Sequence, residues 1–174
     1  RAAVEKFAAA GIDFLVASSF SKNFGLYCER TGALTIVSPT AEEAAVAMSH
    51  VKTIIRVNYS NPPSHGGLAA NEVLNDAALY EQWIGEVAEM RIRIKAMRQA
   101  LVDGLARRGV EQDFSFITEQ RGMFSFSGLS DDAVAWLRDN KSIYIVKGGR
   151  INVAGLTSAN IDYVCDSIAE ALKS

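Results

Sequence analysis

The chain has 174 residues, 49% apolar and 22% charged, a balance that fits a globular chain and excludes a disordered one. Eighteen basic residues stand against twenty acidic ones, a formal charge of −2, which argues against a module that binds nucleic acid by neutralising phosphates. Two cysteines, Cys28 and Cys165, cannot build a disulfide framework, and no apolar run approaches the roughly 20 residues of a membrane-spanning helix. A reducing compartment, the cytoplasm, is therefore expected, with no membrane and no nucleic-acid partner. The first residue is Arg, not Met, and the opening residues already have helical composition without the regions of a signal peptide. An internal segment of a longer polypeptide is expected.

Residues 2–10 read as the end of an alanine-rich helix stopped by Gly11. Phe14-Leu15-Val16-Ala17 and Ala33-Leu34-Thr35-Ile36-Val37 are short uncharged apolar runs, expected as buried strands. Between them runs a polar, aromatic loop from Ser18 to Arg30, closed by Thr31-Gly32. Thr40 and Glu43 have capping-box spacing at the start of a helix whose apolar face is Ala44, Met48, Val51 and Ile55. That helix should stop before Asn61-Pro62-Pro63. A short helix is expected over 67–74. Asn75-Asp76 then caps a long helix with one apolar stripe, Leu79, Trp83, Val87, Met90, Ile94, Met97, Leu101 and Leu105, ended by Gly109. The stripe reads as core packing.

After Gly109, residues 114–117 and 123–127 alternate with period 2 and are expected as strands. Ser130-Asp131-Asp132 caps a helix to Asn140. Residues 143–146 and 151–153 are expected as strands flanking Gly148-Gly149-Arg150. Thr157 caps a last helix with Ile161, Val164, Ile168 and Leu172 inward. This predicts the end of one domain over 1–76, a connecting helix over 77–109 and a small α+β domain over 110–174. Two buried strands need neighbours that these residues do not supply.

The Ser18–Arg30 loop follows a strand, where α/β proteins place ligands. Lys22 lies among hydroxyls and aromatics, and a lysine desolvated there would favour its neutral, nucleophilic amine. Ser19 and Arg30 can together hold a phosphate. A solvated lysine with incidental serines is the competing reading. Two isolated histidines and two distant cysteines give no metal spacing. Asn58-Tyr59-Ser60 fits a glycosylation sequon, but nothing else suggests secretion.

Ser-Phe-Ser-Lys-Asn-Phe-Gly-Leu-Tyr-Cys-Glu-Arg-Thr-Gly, residues 19–32, resembles the lysine segment of class I aminotransferases, the aspartate and aromatic amino-acid group. So do Arg56-Val57-Asn58-Tyr59-Ser60-Asn61-Pro62-Pro63-Ser64-His65-Gly66, Gly122-Met123-Phe124-Ser125-Phe126-Ser127-Gly128-Leu129 and Gly149-Arg150-Ile151-Asn152-Val153-Ala154-Gly155. The blocks follow one another in the family's order along essentially the whole chain. Cys28 departs from the family's pattern and reads as a tolerated variant.

The resemblance implies an α/β chain of the pyridoxal-phosphate (PLP)-dependent transferase fold type I: the end of the large mixed-sheet domain plus the small α+β domain. It implies PLP as cofactor, bound by a Lys22 Schiff base, with Ser19 and Arg30 on its phosphate. Lys22 would then serve as catalytic base and acid. Arg150 matches the arginine on the substrate α-carboxylate. Arg56 matches the one on the distal carboxylate, reaching from the partner subunit of a homodimer with shared active sites. Phe124 matches an aromatic lining the site, and Ser60 and Asn61 share the Arg56 segment. The implied reaction is ping-pong transamination between an amino acid, aspartate or aromatic, and a 2-oxo acid, 2-oxoglutarate.

The family's aspartate on the pyridine nitrogen has no matching position here, since it precedes the lysine segment. A second reading follows: a non-catalytic fragment that serves folding or dimerisation.

Overall fold

The computed structural model describes residues 2–174. They form two compact units that divide between Gly85 and Glu86.

In the first unit, α1 (Ala2–Ala9) gives way to Gly11, whose φ of +66° a glycine adopts without steric cost. β1 (Phe14–Ser19) and β2 (Gly32–Val37) pair antiparallel, in register from Phe14 opposite Val37 to Ser19 opposite Gly32. Any Cβ at position 32 would run into the Ser18 carbonyl, so glycine lets the ribbon close at the mouth of the lysine loop. The strands were expected to be buried. Instead most of their residues are exposed, Leu15 at 61% and Leu34 at 43%. Each strand has one neighbour, which leaves one edge and much of each face uncovered.

The next helix, α2 (Ala41–Tyr59), opens with the expected capping box. Thr40 Oγ1 accepts from the Glu43 backbone N–H at 3.2 Å, and the Thr40 N–H donates to Glu43 Oε2 at 3.3 Å. Ala44, Ala47, Val51 and Ile55 form its half-buried stripe, while Met48 lies on the exposed margin. α3 (His65–Asn75) begins two residues before the expected start and buries Gly66 and Ala70. α4 (Ala77–Arg107) is capped by Asp76, whose Oδ1 accepts from the Leu79 N–H at 2.9 Å.

The second unit takes up α4 from Glu86. Burial rises along the stripe: Met90 is exposed, Ile94 and Met97 are half-buried, and Leu101 and Leu105 are buried. These last two join Ile117, Leu137, Val153, Cys165 and Ile168 in one core. The core includes α6 (Asp131–Lys141) and α7 (Ile161–Ala171). Gly104 permits the close approach of α7, because a Cβ there would stand 2.5 Å from Cys165 Sγ. Arg108 ties the end of α4 to Asp162 and Asp166, and the Asp166 pair pushes the guanidinium pKa up.

Three expectations fail here. Residues 114–117 do not form a strand; α5 (Phe116–Glu119) stands there. Asp113 accepts from both the Ser115 N–H (2.8 Å) and its hydroxyl (2.9 Å), which starts a turn, and the buried Phe114 and Ile117 lie one helical turn apart. Residues 143–146 make one bridge, Val146 to Arg150, instead of a strand. Gly148 and Gly149, at φ +84° and +77°, turn the chain back before a ladder can form. At α7 the Thr157 hydroxyl is not the cap. Its carbonyl accepts from Asn160 and Ile161, and Asn160 Oδ1 accepts from the Thr157 N–H at 2.7 Å. The expected caps at Ser130 and the strand at 123–127 are present, the latter shortened to β3 (Phe124–Phe126). β3 pairs antiparallel with β4 (Arg150–Asn152). Among the described residues, no helix is long and apolar enough to cross a membrane.

Candidate active site

The loop after β1 brings two of the expected residues, Ser19 and Arg30, to one cleft. Ser19, the last residue of β1, donates its hydroxyl to Ser21 Oγ at 3.1 Å and accepts from the Ser21 N–H at 3.2 Å. Ser21 is buried. Arg30 closes the loop with φ +52°, a left-handed conformation uncommon for an arginine, and donates to the Tyr27 carbonyl at 3.0 Å. Ser19, Ser21, Arg30 and Thr31 share the wall of an open cleft of about 360 Å³. The three hydroxyls of Ser19, Ser21 and Thr31 and a planar guanidinium are donors suited to a tetrahedral oxyanion.

Lys22 follows directly and is exposed, with Nζ 5.2 Å from the Tyr27 ring centroid. The desolvation expected at this lysine is therefore not provided by the first unit. The loop's far side is anchored by aromatics: Phe24 stacks on Trp83 at 4.6 Å, and Trp83 Nε1–H donates to the Asn23 carbonyl at 2.7 Å.

The segment that presents Arg30 rests on the start of α3. A Cβ at Gly66 would collide with Thr31 Oγ1 and stand 2.8 Å from Glu29 Cβ. His65 Nδ1 lies 2.9 Å from Glu29 Oε2, and this hydrogen bond and the carboxylate's charge push the His65 pKa up.

Arg56 sits in the last turn of α2 and donates to Ser60 Oγ at 2.7 Å. Ser60 has φ +73° and ψ −68°, and the Asn61 N–H donates to the Tyr59 carbonyl at 2.9 Å. That is a γ-turn of the rarer, strained hand, costing about 1–3 kcal/mol. Arg56, Ser60 and Asn61 thus form one tight, exposed cluster.

Arg150 and Phe124 belong to the second unit. They lie on neighbouring strands of the β3–β4 ribbon, and the Arg150 guanidinium carbon is 5.3 Å from the Phe124 ring centroid. Gly149 has no room for a Cβ, which would stand 2.9 Å from Ser127 Oγ. Ser127 donates both its N–H (2.8 Å) and its hydroxyl (2.6 Å) to the Gly149 carbonyl, which sets the residue before Arg150.

The sequence profile of aminotransferase class I and II matches residues 2–168. The chain belongs to this family. It is 57% identical over 166 residues to an aspartate aminotransferase of Haemophilus influenzae, covering 95% of this chain and 42% of the relative. It is 44% identical to an aromatic-amino-acid aminotransferase of Escherichia coli, over 98% of this chain and 43% of the relative. An aromatic-amino-acid aminotransferase structure from Burkholderia pseudomallei, described as covalently bound to pyridoxal phosphate, superposes with a TM-score of 0.91 at 51% identity. It covers 98% of this chain and 43% of that one. The fold is the α/β fold type I of this family. The chain spans about 43% of the length of the relatives it matches.

Several residues of this aminotransferase chain gained a place only in three dimensions. Ser21, Trp83, Gly66 and His65 support the lysine loop, and Ser127 and Arg98 support the Arg150 ribbon. Ser21, His65, Gly66 and Ser127 stand inside the quoted blocks, and Trp83 on the apolar stripe. Arg98 carries no local signal, since it sits beside the apolar stripe like any helix-surface arginine.

Proposed function

We propose that this chain is part of a PLP-dependent aminotransferase that moves the amino group of aspartate or an aromatic amino acid to 2-oxoglutarate. The observation that carries the reading is the Ser19, Ser21 and Arg30 donor set in one cleft, on the loop that also carries Lys22. This donor set fits the phosphate of PLP: it is cationic, rich in hydroxyls and shaped by a left-handed turn at Arg30. A family relative described as covalently bound to pyridoxal phosphate supports the same cofactor. PLP supplies, when bound, a conjugated ring that delocalises negative charge left at the substrate Cα.

The chain's own residues do the rest. Lys22 would hold the cofactor through Nζ and, once released, hold and move the Cα proton as base and acid. Its exposed position beside Tyr27 leaves the amine accessible. Arg150 would grip the α-carboxylate with its planar fork, and Phe124 beneath it limits where that fork can lie. Arg56 would take the distal carboxylate of a dicarboxylic substrate. Its exposed place at the end of α2 suits a role in a partner subunit's site, as in a homodimer with shared sites. Two carboxylate anchors would orient the scissile C–H bond, and each charge-assisted bond contributes about 1.5–3 kcal/mol. A cytoplasmic location is part of the same proposal; one relative is the cytoplasmic aspartate aminotransferase of Oryza sativa, 43% identical.

The test is transamination of aspartate and of phenylalanine with 2-oxoglutarate by the full-length protein. Lys22→Ala should abolish both reactions. Arg56→Ala should lower kcat/KM for aspartate by about 10-fold to 100-fold and spare phenylalanine. Full activity of Lys22→Ala, or equal losses for both substrates in Arg56→Ala, would overturn the assignments.

A further inference from the structure

The β3–β4 ribbon is too small to hold itself. Each strand has three residues, and a lone two-stranded ribbon is marginal in water. Yet it carries Arg150 and Phe124. Gln120 and Ser127 bond to it from nearby in the chain, and a pair of arginines five positions apart on α4 ties it and its flanking turns to that helix.

Arg98 is only 2% exposed, and its three hydrogen bonds all go to backbone carbonyls. Its Nη1 donates to Ile117 O at 2.9 Å. Its Nη2 donates to Gly122 O at 2.7 Å and to Phe124 O at 3.2 Å. One planar group thus joins α5, the turn at Gly122 and the first residue of β3. Arg93 does the same beyond β4. Its Nη1 donates to Ala154 O at 3.2 Å and its Nη2 to Leu156 O at 2.6 Å. The chain therefore meets a cationic fork just before and within β3, and another just after β4. Burying a guanidinium against neutral carbonyls is costly, since desolvation is not offset by an opposite charge. A lysine would present a point charge with no fork and could not span three carbonyls from different segments.

We propose that Arg98 and Arg93 are positioning residues for the carboxylate site: they clamp the ribbon to α4 and so set where the Arg150 guanidinium lies over Phe124. The inference rests on the proposed aminotransferase reading for Arg150. Neither arginine is placed to touch substrate, because every hydrogen bond each of them makes goes to a backbone carbonyl. Both act through the backbone, Arg98 on the carbonyl of Phe124 itself and Arg93 on the turn that follows Asn152.

A displaced Arg150 weakens the α-carboxylate contact common to every amino acid. Loss should therefore be equal for aspartate and phenylalanine, unlike the loss expected at Arg56. In the full-length holoenzyme, Arg98→Lys and the milder, exposed-site Arg93→Met should raise KM for both substrates by about 10-fold, with a smaller change in kcat. Ile168→Ala, a core change in α7, should lower the melting temperature and leave both KM values unchanged. Hydrogen exchange supplies a readout independent of activity. The Ser127 and Val153 amides, bonded to Gly149 O and Met123 O, should lose protection in both arginine variants, while amides of α7 keep theirs. Unchanged KM values in an active enzyme, or unchanged exchange at Ser127 and Val153, would overturn the inference. A wild-type enzyme that fails to transaminate would instead overturn the functional reading, and the exchange result alone would then decide the clamp.

Discussion

Gly66→Ala is the sharpest test of how the proposed phosphate donors are held. The new methyl would stand 2.8 Å from Glu29 Cβ and 3.1 Å from Thr31 Cβ, and would collide with Thr31 Oγ1. Carbon pairs prefer roughly 3.5–4.0 Å, so the Glu29 contact alone is short by about 0.7 Å. Gly66 is buried, and Thr31 Oγ1 is held by its hydrogen bond to the Glu29 carbonyl at 3.2 Å, so the segment must move as a whole. Overpacking of this kind costs about 1–3 kcal/mol, against about 0.5–1 kcal/mol gained by replacing glycine in a helix. The net expectation is a destabilisation of up to about 2.5 kcal/mol. Because Arg30 lies between Glu29 and Thr31, PLP affinity should fall as well. Losing one charge-assisted bond, about 1.5–3 kcal/mol, corresponds to about 10-fold or more in dissociation constant. Gly67→Ala is the internal control. Its methyl meets nothing within 4 Å, so it should be neutral or slightly stabilising. Urea denaturation and PLP titration of the two variants decide the matter. Equal stability and equal PLP affinity in Gly66→Ala and Gly67→Ala would refute the reasoning.

Two further outcomes follow from the packing and the charges. Gly104→Ala should destabilise the protein by about 1 kcal/mol or more in urea, and Cys165→Ala in the same chain should relieve it, giving a favourable coupling energy in a double-mutant cycle. An additive cycle would mean that the Gly104–Cys165 approach is not what limits the site. The His65 pKa is raised by Glu29, so the pair's stabilising contribution is complete below the unfolded value of about 6.5 and disappears as pH rises through the folded value. NMR titration should find the His65 pKa lower in Glu29→Gln than in the wild type; no change would refute the pairing.

The local signals in the chain carried a good part of the fold. Thr40 with Glu43, Asp76, Ser130 and the glycines at 11 and 109 mark helix ends, because capping is settled by residues within one turn. Phe114 to Ile117 misled because Phe-Ser-Phe-Ile satisfies period 2 over so few residues. The Asp113 side chain, bonded to Ser115, resolves the segment as helical. The apolar runs at 14–17 and 33–37 gave the strands but not their exposure, which depends on what packs against them.

The candidate site divides in the same way. Lys22, Ser19, Arg30, Arg56 and Arg150 could be proposed from the sequence because they stand in contiguous blocks that resemble the family's. Residues 1–174 by themselves determined the family and, for the most part, the element order. Tertiary structure alone decided that Ser21 joins the donor set, that Gly66 underlies Arg30, and that Arg98 and Arg93 hold the ribbon of Arg150. The physical reason is range. Caps, periods and motif spacings act within a few residues, whereas a clamp from α4 to β3 joins groups about two dozen positions apart, and its worth depends on burial that no local window records.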